Sequence, residues 1–311
     1  MEHGFLKHLK HKKTNLIVYL KFLFLSLPAY CAEISSHTEK EKVTKEDSPP
    51  NSGNFALSTS QQPGPLISFG QHVINENQAQ FYLFADDLKG KTQHKIDLIP
   101  SIVYGVRDDV SLSFSAPIAA SYKEGKKHSS GWEDISLQLE YAFYDNKTAT
   151  FAEQATLFTS VSFPTGSTHK QPQTGFGSPS FFLGATIDRM YTDWFGFTSH
   201  GVLLTTSDEG TKFGDGFVYQ CGLGRNILSV SSEFIISGMV EIDGQYTRKD
   251  KIKKMTDANS GGNTIYLTPS LWISTKKLII QLGFGFPIIQ HLFGDQKRNN
   301  YLLAANFGWT F

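Results

Sequence analysis

The chain has 311 residues, 29 basic and 29 acidic side chains, and a mean hydropathy of −0.24. Its neutral balance excludes the basic surplus of a nucleic-acid binder, and its 40% hydrophobic content is too low for a helical membrane protein. The 25 Phe, 12 Tyr and 27 Gly stand out: aromatics suit strands and membrane interfaces, glycines suit tight turns and thin walls, and a barrel with half of each strand on a polar lumen escapes hydropathy averages.

Residues 1–32 read as a secretion signal. Lys7, Lys10, Lys12 and Lys13 form a basic start, Leu16 to Leu27 a short apolar run, and Ala29 and Ala32 small residues for cleavage. The run is shorter than the roughly 20 apolar residues of a spanning helix, which disfavours a retained anchor. Pro28-Ala29-Tyr30 before Cys31 lacks a lipobox pattern. Cleavage near residue 32 leaves Cys221 as the single cysteine, so one chain can form neither a disulfide nor a cysteine metal site. Residues 33–65 are rich in Ser, Glu, Lys, Gln and Pro; that composition predicts a flexible polar segment, too polar to fold as a plug.

From residue 66 onward the pattern has period two, which predicts β-strands. Twelve are expected, near 77–86, 94–105, 109–120, 132–144, 149–164, 178–188, 192–205, 215–225, 227–242, 263–274, 277–288 and 300–311. In the fourth, Ile135, Leu137, Leu139, Tyr141 and Phe143 oppose Asp134, Ser136, Gln138, Glu140 and Ala142. In the ninth, Leu228, Val230, Phe234, Ile236, Val240 and Ile242 oppose Ser229, Ser231, Glu233, Ser237 and Glu241. In the eleventh, Leu278, Ile280, Leu282, Phe284 and Phe286 oppose Gln281, Gly283 and Gly285. The strand at 192–205 has no assignable faces. Pro100, Pro179 and Pro269 each precede a residue pair beginning with Ser, early in strands two, six and ten. They are expected to point outward, with inward serines after them, at positions where no ladder donor is needed.

Connections alternate between polar loops (Asp87–Gln93, Tyr122–Gly131, Thr165–Gly177, Ser207–Gly214, Asp243–Gly262, Gln290–Asn299) and short turns at Arg107–Asp109, Asp145–Lys147, Arg189–Thr192, Arg225–Asn226 and Thr275–Lys276. An even strand count with alternating loop lengths is the pattern of outer-membrane barrels, with short turns toward the periplasm. The last strand sets Tyr301, Leu303, Phe307, Trp309 and Phe311 against Leu302, Ala304, Asn306, Gly308 and Thr310, and its aromatic finish is similar to the C-terminal signature of those barrels. A soluble β-sandwich shares the period but not the secretion signal, the loop alternation and this strand together. The fold expected is therefore all-β: a transmembrane antiparallel up-and-down barrel of about 12 strands over residues 66–311.

No catalytic motif is present: no phosphate loop, no His-Glu-x-x-His, no nucleophile elbow. His200 alone sits well inside a strand, and a lone His without a partnered nucleophile is more simply a polar wall residue. By parity the inward set includes Asp97, Asp134, Gln138, Glu140, Gln220, Glu233, Glu241, Gln281 and Asn306. These are the candidate pore-lining residues, on a face that is polar, mostly neutral and slightly acidic. Such a face does not match a phosphate or acidic-sugar pore, which needs rings of Arg or Lys. The same residues could instead hydrogen-bond across a filled lumen, as in small barrels. Lys123, Lys126, Lys127 and the run from Arg248 to Lys254 fall in loops, solvated or against lipopolysaccharide. No metal and no cofactor is expected.

The run Ile99-Pro100-Ser101-Ile102-Val103-Tyr104-Gly105-Val106-Arg107-Asp108-Asp109-Val110-Ser111-Leu112 resembles the early hairpin of the outer-membrane transporter family assigned to the MetA pathway of phenol degradation. Ser115-Ala116-Pro117, Ser130-Gly131-Trp132-Glu133-Asp134-Ile135, Leu139-Glu140-Tyr141-Ala142-Phe143 and Ser162-Phe163-Pro164-Thr165-Gly166 are similar too. Trp132-Glu133 departs from the smaller residue and Gly usual there. The resemblance spans roughly residues 66–311. It implies a twelve-stranded barrel passing small hydrophobic or aromatic molecules, and it carries over no binding residue. The function expected is a non-enzymatic outer-membrane channel for small solutes, in contact with outer-membrane lipid and lipopolysaccharide. The alternatives are a phospholipase-like barrel using His200 with a neighbouring Ser, and a surface or adhesive barrel working through loops 121–131 and 243–262.

Overall fold

The computed structural model describes residues 48–311 apart from Gln71, His72 and Glu209. The expected secretion signal and the first part of the expected flexible segment lie outside the described residues. In chain order the strands are β1 (Ala79–Gly90), β2 (Gln93–Arg107), β3 (Val110–Ser115), β4 (Ile118–Glu124), β5 (Lys127–Trp132), β6 (Ile135–Lys147), β7 (Phe151–Phe163), β8 (Ser180–Tyr191) and β9 (Trp194–Thr205). There follow the short loop strands β10 (Ser207–Asp208) and β11 (Thr211–Lys212), then β12 (Gly216–Val230) and β13 (Phe234–Thr247). The last are the loop strands β14 (Lys251–Ile252) and β15 (Met255–Thr256), and then β16 (Gly262–Thr275), β17 (Leu278–Leu292) and β18 (Asn299–Thr310).

The sheet is antiparallel throughout and closed, because β1 pairs with both β2 and β18, from Gln80 opposite Thr310 to Gly90 opposite Asn299. β3 and β4 pair with the two halves of β2, while β6 and β5 pair with β3 and β4. Each of these successive pairs is one stave interrupted once, which gives the twelve staves that the alternation predicts. The interruption has a chemical cause. Pro100 and Pro117 lack N–H donors, and the ladder is replaced there by single bonds from Ala116 N to Pro100 O (3.0 Å) and from Glu133 N to Pro117 O (2.9 Å). Ser101 and Ser180 are buried on the inner face behind their prolines, as expected, and Pro269 is exposed on the outer face.

Closure leaves no backbone edge, which is what hydrocarbon demands of a sheet. The outer face is correspondingly apolar: Leu137, Leu139, Leu183, Ile187, Leu223, Val240, Leu282 and Leu303 are all exposed. Exposed aromatics ring both ends of this band. Tyr104, Tyr141, Tyr191, Trp194 and Trp309 lie at the rim of short turns, and Trp132, Phe163, Phe181, Phe217 and Tyr246 toward the long loops. That is the aromatic girdle of a membrane barrel. Leu223 lies near the middle of β12 and is 60% exposed. Leu223→Arg should therefore cost about 2–4 kcal/mol of stability in a lipid bilayer. A shift in the unfolding midpoint worth less than about 0.5 kcal/mol, the range of an ordinary surface change, would mean that this face does not meet hydrocarbon.

Several boundaries differ from the sequence expectation. The turn expected at Arg225–Asn226 is instead at residues 231–233; β12 runs on through a bulge between Asn226 and Leu228 that puts Ile227 and Leu228 both outside. The polar pair Arg225-Asn226 has turn chemistry, but the bulge absorbs it. The expected loop at Asp87–Gln93 shrinks to Lys91 and Thr92, and the one at Tyr122–Gly131 is largely a hairpin of β4 and β5. Beyond the apolar band the strands continue in water, where no alternation marks them. β10, β11, β14 and β15 form a small second sheet in the loops.

The largest departure concerns the polar segment before the barrel. Expected to be flexible to residue 65, its described part, residues 48–65, is ordered and mostly buried. The stretch packs its few apolar groups, Phe55, Ala56 and Leu57, on residues of the barrel. What satisfies it is the inner wall of the barrel.

Candidate functional site

Residues 51–70 enter the lumen at the short-turn rim and rise to mid-barrel, and residues 73–78 lead back to that rim; together they form an arch. At entry, Asn54 N donates to Thr192 O (2.8 Å), Asn54 Nδ2 to Tyr191 O (2.9 Å), and Ser232 N to Ala56 O (2.8 Å). Gly53 is left-handed there (φ 59°), and a Cβ on it would stand 2.1 Å from Thr192 O, so only glycine fits. Phe55, Ala56 and Leu57 then wedge between apolar wall residues. Phe55 joins Met190, Phe195, Phe197 and Met239; Ala56 and Leu57 join Tyr82, Ile235, Trp272 and Ile279. This is the hydrophobic core of the molecule, at one end of the lumen.

Higher up, polar wall residues satisfy the segment's backbone. Gln80 Nε2 donates to Ser60 O (2.9 Å), Ser274 Oγ to Gln61 O (2.7 Å), and Gln281 Nε2 to Gly64 O (2.8 Å). The Glu241 carboxylate accepts three backbone N–H groups, from Leu66 (2.8 Å), Ile67 (3.3 Å) and Ser68 (3.0 Å). Ser68 Oγ donates to Asp243 Oδ1 at 2.9 Å. Ser199 Oγ donates to Phe69 O (2.9 Å), and the Phe69 ring packs edge-on against Phe158 and Phe182. On the way back Ile74 N donates to Ser111 Oγ (3.2 Å), and Asn77 N to Gly105 O (2.9 Å). Inner-face glycines make room for the arch: a Cβ on Gly283 would lie 2.5 Å from Leu66 Cδ2.

The arch does not fill the lumen. Against β1, β2, β3 and β6 it leaves a cavity of about 330 Å³, floored by Leu66 to Gly70. The β1–β2 side and Leu302 carry Tyr82, Phe84, Asp86, Ile99, Ser101 and Val103, mostly apolar and aromatic; the β3–β6 side carries Ser113, Ser115, Ser136, Gln138 and Glu140. Toward the long loops, Lys95 Nζ pairs with Asp97 Oδ2 (2.9 Å) and Glu133 Oε1 (2.6 Å).

The sequence-selected residues fall into five groups. Gln138 and Glu140 line the cavity, joined by a 2.7 Å bond from Gln138 Nε2 to Glu140 Oε1. Glu241, Gln281, Asn306 and Gln220 serve the arch: Asn306 Nδ2 donates to Gln281 Oε1 (3.2 Å), and Gln220 Nε2 to Asp243 Oδ1 (3.4 Å). Asp97 is taken by Lys95. Asp134 anchors the loop after β7, accepting Gly166 N (2.9 Å) and Phe176 N (2.7 Å). Glu233 is exposed in the turn at 231–233 and lines nothing, because the turn lies six residues later than the sequence suggested. Sequence reasoning missed Gln80, Tyr82 and Asp86, since Gln80-Phe81-Tyr82-Leu83-Phe84 is bulky on both faces. It also missed Asp243, assigned to a loop although β13 runs on to Thr247.

In β9, Phe195, Phe197 and Ser199 face in, while Trp194 and His200 face out. His200 bonds Thr198 Oγ1 (3.1 Å) and stacks on Phe217, with no serine hydroxyl among its hydrogen-bond partners. Among the described residues no group of three or more His, Cys, Asp or Glu side chains is placed to hold a metal ion. In the loops, burial works to raise the Asp215 carboxyl, but the Lys212 ammonium (2.9 Å) and the Thr205 N–H (3.1 Å) outweigh it and hold the group below its ordinary range.

No protein-family model and no curated protein matches the chain. Among solved structures, the COG4313 outer membrane channel from Pseudomonas putida F1 aligns over 79% of this chain and 100% of its own, with a TM-score of 0.66 at 12% identity. The NanC porin (TM-score 0.45, 8% identity, 74% of this chain and 98% of its own) and LpxR from Salmonella typhimurium (0.41, 9%, 74% and 100%) are more distant. At these identities the first likeness speaks for the fold and the other two carry no argument. The fold is that of a bacterial outer-membrane β-barrel.

Proposed function

We propose that the protein is a passive outer-membrane channel for small solutes, held narrow by its own N-terminal arch. The observation that carries this reading is the cavity of about 330 Å³ left between the arch and the wall of β1, β2, β3 and β6. A barrel serving only as an anchor has no need of hollow space lined by both hydroxyls and aromatic faces. Selectivity would come from width and from hydrogen bonding along that wall. The apolar wall of Tyr82, Phe84, Ile99 and Leu302, together with the sequence resemblance, supports solutes with a small hydrophobic or aromatic body. An enzymatic barrel is less well supported, because the described partners of His200 are the Thr198 hydroxyl and the Phe217 ring, with no serine and no carboxylate to orient the imidazole.

Purified protein in planar bilayers is expected to give small, discrete conductance steps, and proteoliposomes should take up phenol-sized solutes faster than larger sugars. Neither conductance nor uptake above that of empty liposomes would overturn the proposal.

A further inference from the structure

The charge of the cavity is one-sided. Its lining includes three ionisable side chains, Tyr82, Asp86 and Glu140, and no Lys, Arg or His. The Tyr82 hydroxyl is committed, donating to Gln80 Oε1 at 2.9 Å. Asp86 makes no hydrogen bond or ion pair with any described residue, and Lys95, the cation whose field reaches it, is engaged by Asp97 and Glu133. Glu140 is more than nine-tenths buried, yet only one of its oxygens is bonded, to Gln138 Nε2. Two carboxylates thus face a hollow whose remaining side chains are aromatic, aliphatic, hydroxylic or, at Gln138, an amide.

Buried carboxylates that lack a cation and a full set of hydrogen bonds are costly. A protonated amine in the cavity would relieve that cost while its apolar body lies against Phe84, Ile99 and Leu302. Tyr82 and Phe84 stack with ring centroids 5.6 Å apart, and their faces favour a cation electrostatically. An anion would meet two like charges and no donor beyond hydroxyls and amides. The volume is at the lower end of small-molecule sites, about 300–1,000 Å³, which sets the ligand at roughly one ring with a short side chain.

We propose that this cavity is a binding site for small organic cations, a protonated amine on an aromatic or short aliphatic body, with Asp86 and Glu140 as its counter-charges. The proposal deepens the channel reading by naming the class of solute, and it rests on that reading only in treating the cavity as part of the solute path.

Three probes with one skeleton test it: phenethylammonium, 2-phenylethanol and phenylacetate, titrated calorimetrically at neutral pH into the full chain in detergent. Phenethylammonium should bind roughly tenfold tighter than the alcohol, equivalent to about 1.4 kcal/mol, and phenylacetate should bind weakest. The pair Asp86→Asn and Glu140→Gln should bring the amine down to the level of the alcohol and leave the alcohol within about twofold. Each single substitution gives the same test in smaller measure, with heat-modifiable gel migration as the check of folding. An alcohol that binds as tightly as the amine, a preference that survives both substitutions, or no binding of any probe would overturn the proposal. Conductance is scored separately. A barrel that discriminates among the probes but neither conducts nor takes up solute keeps the site and loses the transport reading; one that conducts without discriminating does the reverse.

Discussion

A variant lacking residues 53–74, bridged by a short Gly/Ser linker, should form a barrel that conducts several times more current than the intact protein. It should also admit solutes that the intact protein excludes. The arch enters and leaves at the same rim, at Asn54 against Thr192 and at Asn77 against Gly105, so its removal cuts no stave. The wall is closed independently by β1 against β18 along eleven residue pairs from Gln80–Thr310 to Gly90–Asn299. What is lost is the apolar wedge of Phe55, Ala56 and Leu57 between the two wall clusters, together with the floor of the cavity. A twelve-stranded lumen lies between small barrels filled by their own side chains and wide water-filled porins, so emptying this one should leave a continuous aqueous path. Single-channel recording reads the result directly. Conductance unchanged in a variant that keeps heat-modifiable migration would show that the arch is not what limits flow.

The second large effect concerns Glu241. Its carboxylate is the acceptor for three successive backbone donors at the top of the arch, Leu66, Ile67 and Ser68. Glu241→Ala strands those donors away from water, and each buried unsatisfied group costs about 1–3 kcal/mol. One opposing effect must be weighed. Glu241 and Asp243 are like charges two residues apart on the same face, both bonded to Ser68, and removing either relieves their repulsion. Against three orphaned donors that relief is the smaller quantity, so a net loss of about 3 kcal/mol is expected for the arch. At roughly 1.4 kcal/mol per tenfold, the amides of residues 66–68 should exchange with deuterium about a hundred times faster, while those of β12 and β13 stay protected. Glu241→Gln keeps one acceptor oxygen and removes the repulsion but turns an NH2 donor toward the remaining backbone N–H, so its effect should be intermediate between the parent and the alanine variant. Equal exchange in the alanine variant and the parent would mean that the carboxylate does not hold the arch.

How far the sequence carried depended on which neighbour each residue answers to. Ile135, Leu137, Leu139 and Tyr141 face lipid and Gln138 and Glu140 face the lumen, because strand faces follow from period two alone. β9 resisted assignment for a physical reason. Phe195 and Phe197 face inward onto the wedge while Trp194 faces outward, so both faces are aromatic and the alternation vanishes. The same holds for Phe234-Ile235-Ile236 and Leu278-Ile279-Ile280, where the middle residue is buried under the arch. Such doubly apolar runs near one rim were the available signal that something fills the lumen there. The arch itself was illegible because its polar composition resembles disorder, and its partners lie far away in sequence. Gln61 reaches Thr310 and Gly64 accepts from Gln281, more than two hundred residues on. Glu233 was misplaced by a local error of turn position, and Asp134 by its place at the break between β5 and β6.

Those long separations also order events during biogenesis. The arch precedes β1 along the polypeptide, yet the groups that receive it, Glu241 on β13, Ser274 on β16 and Gln281 on β17, come among the last strands. Joining such distant partners carries a loop-closure penalty that grows with the intervening length until other contacts bridge the gap. Once β18 zips against β1, the gap is bridged and the receptor surface is complete. The separation therefore predicts that threading is a terminal step, following closure of a cylinder that is at first unstoppered.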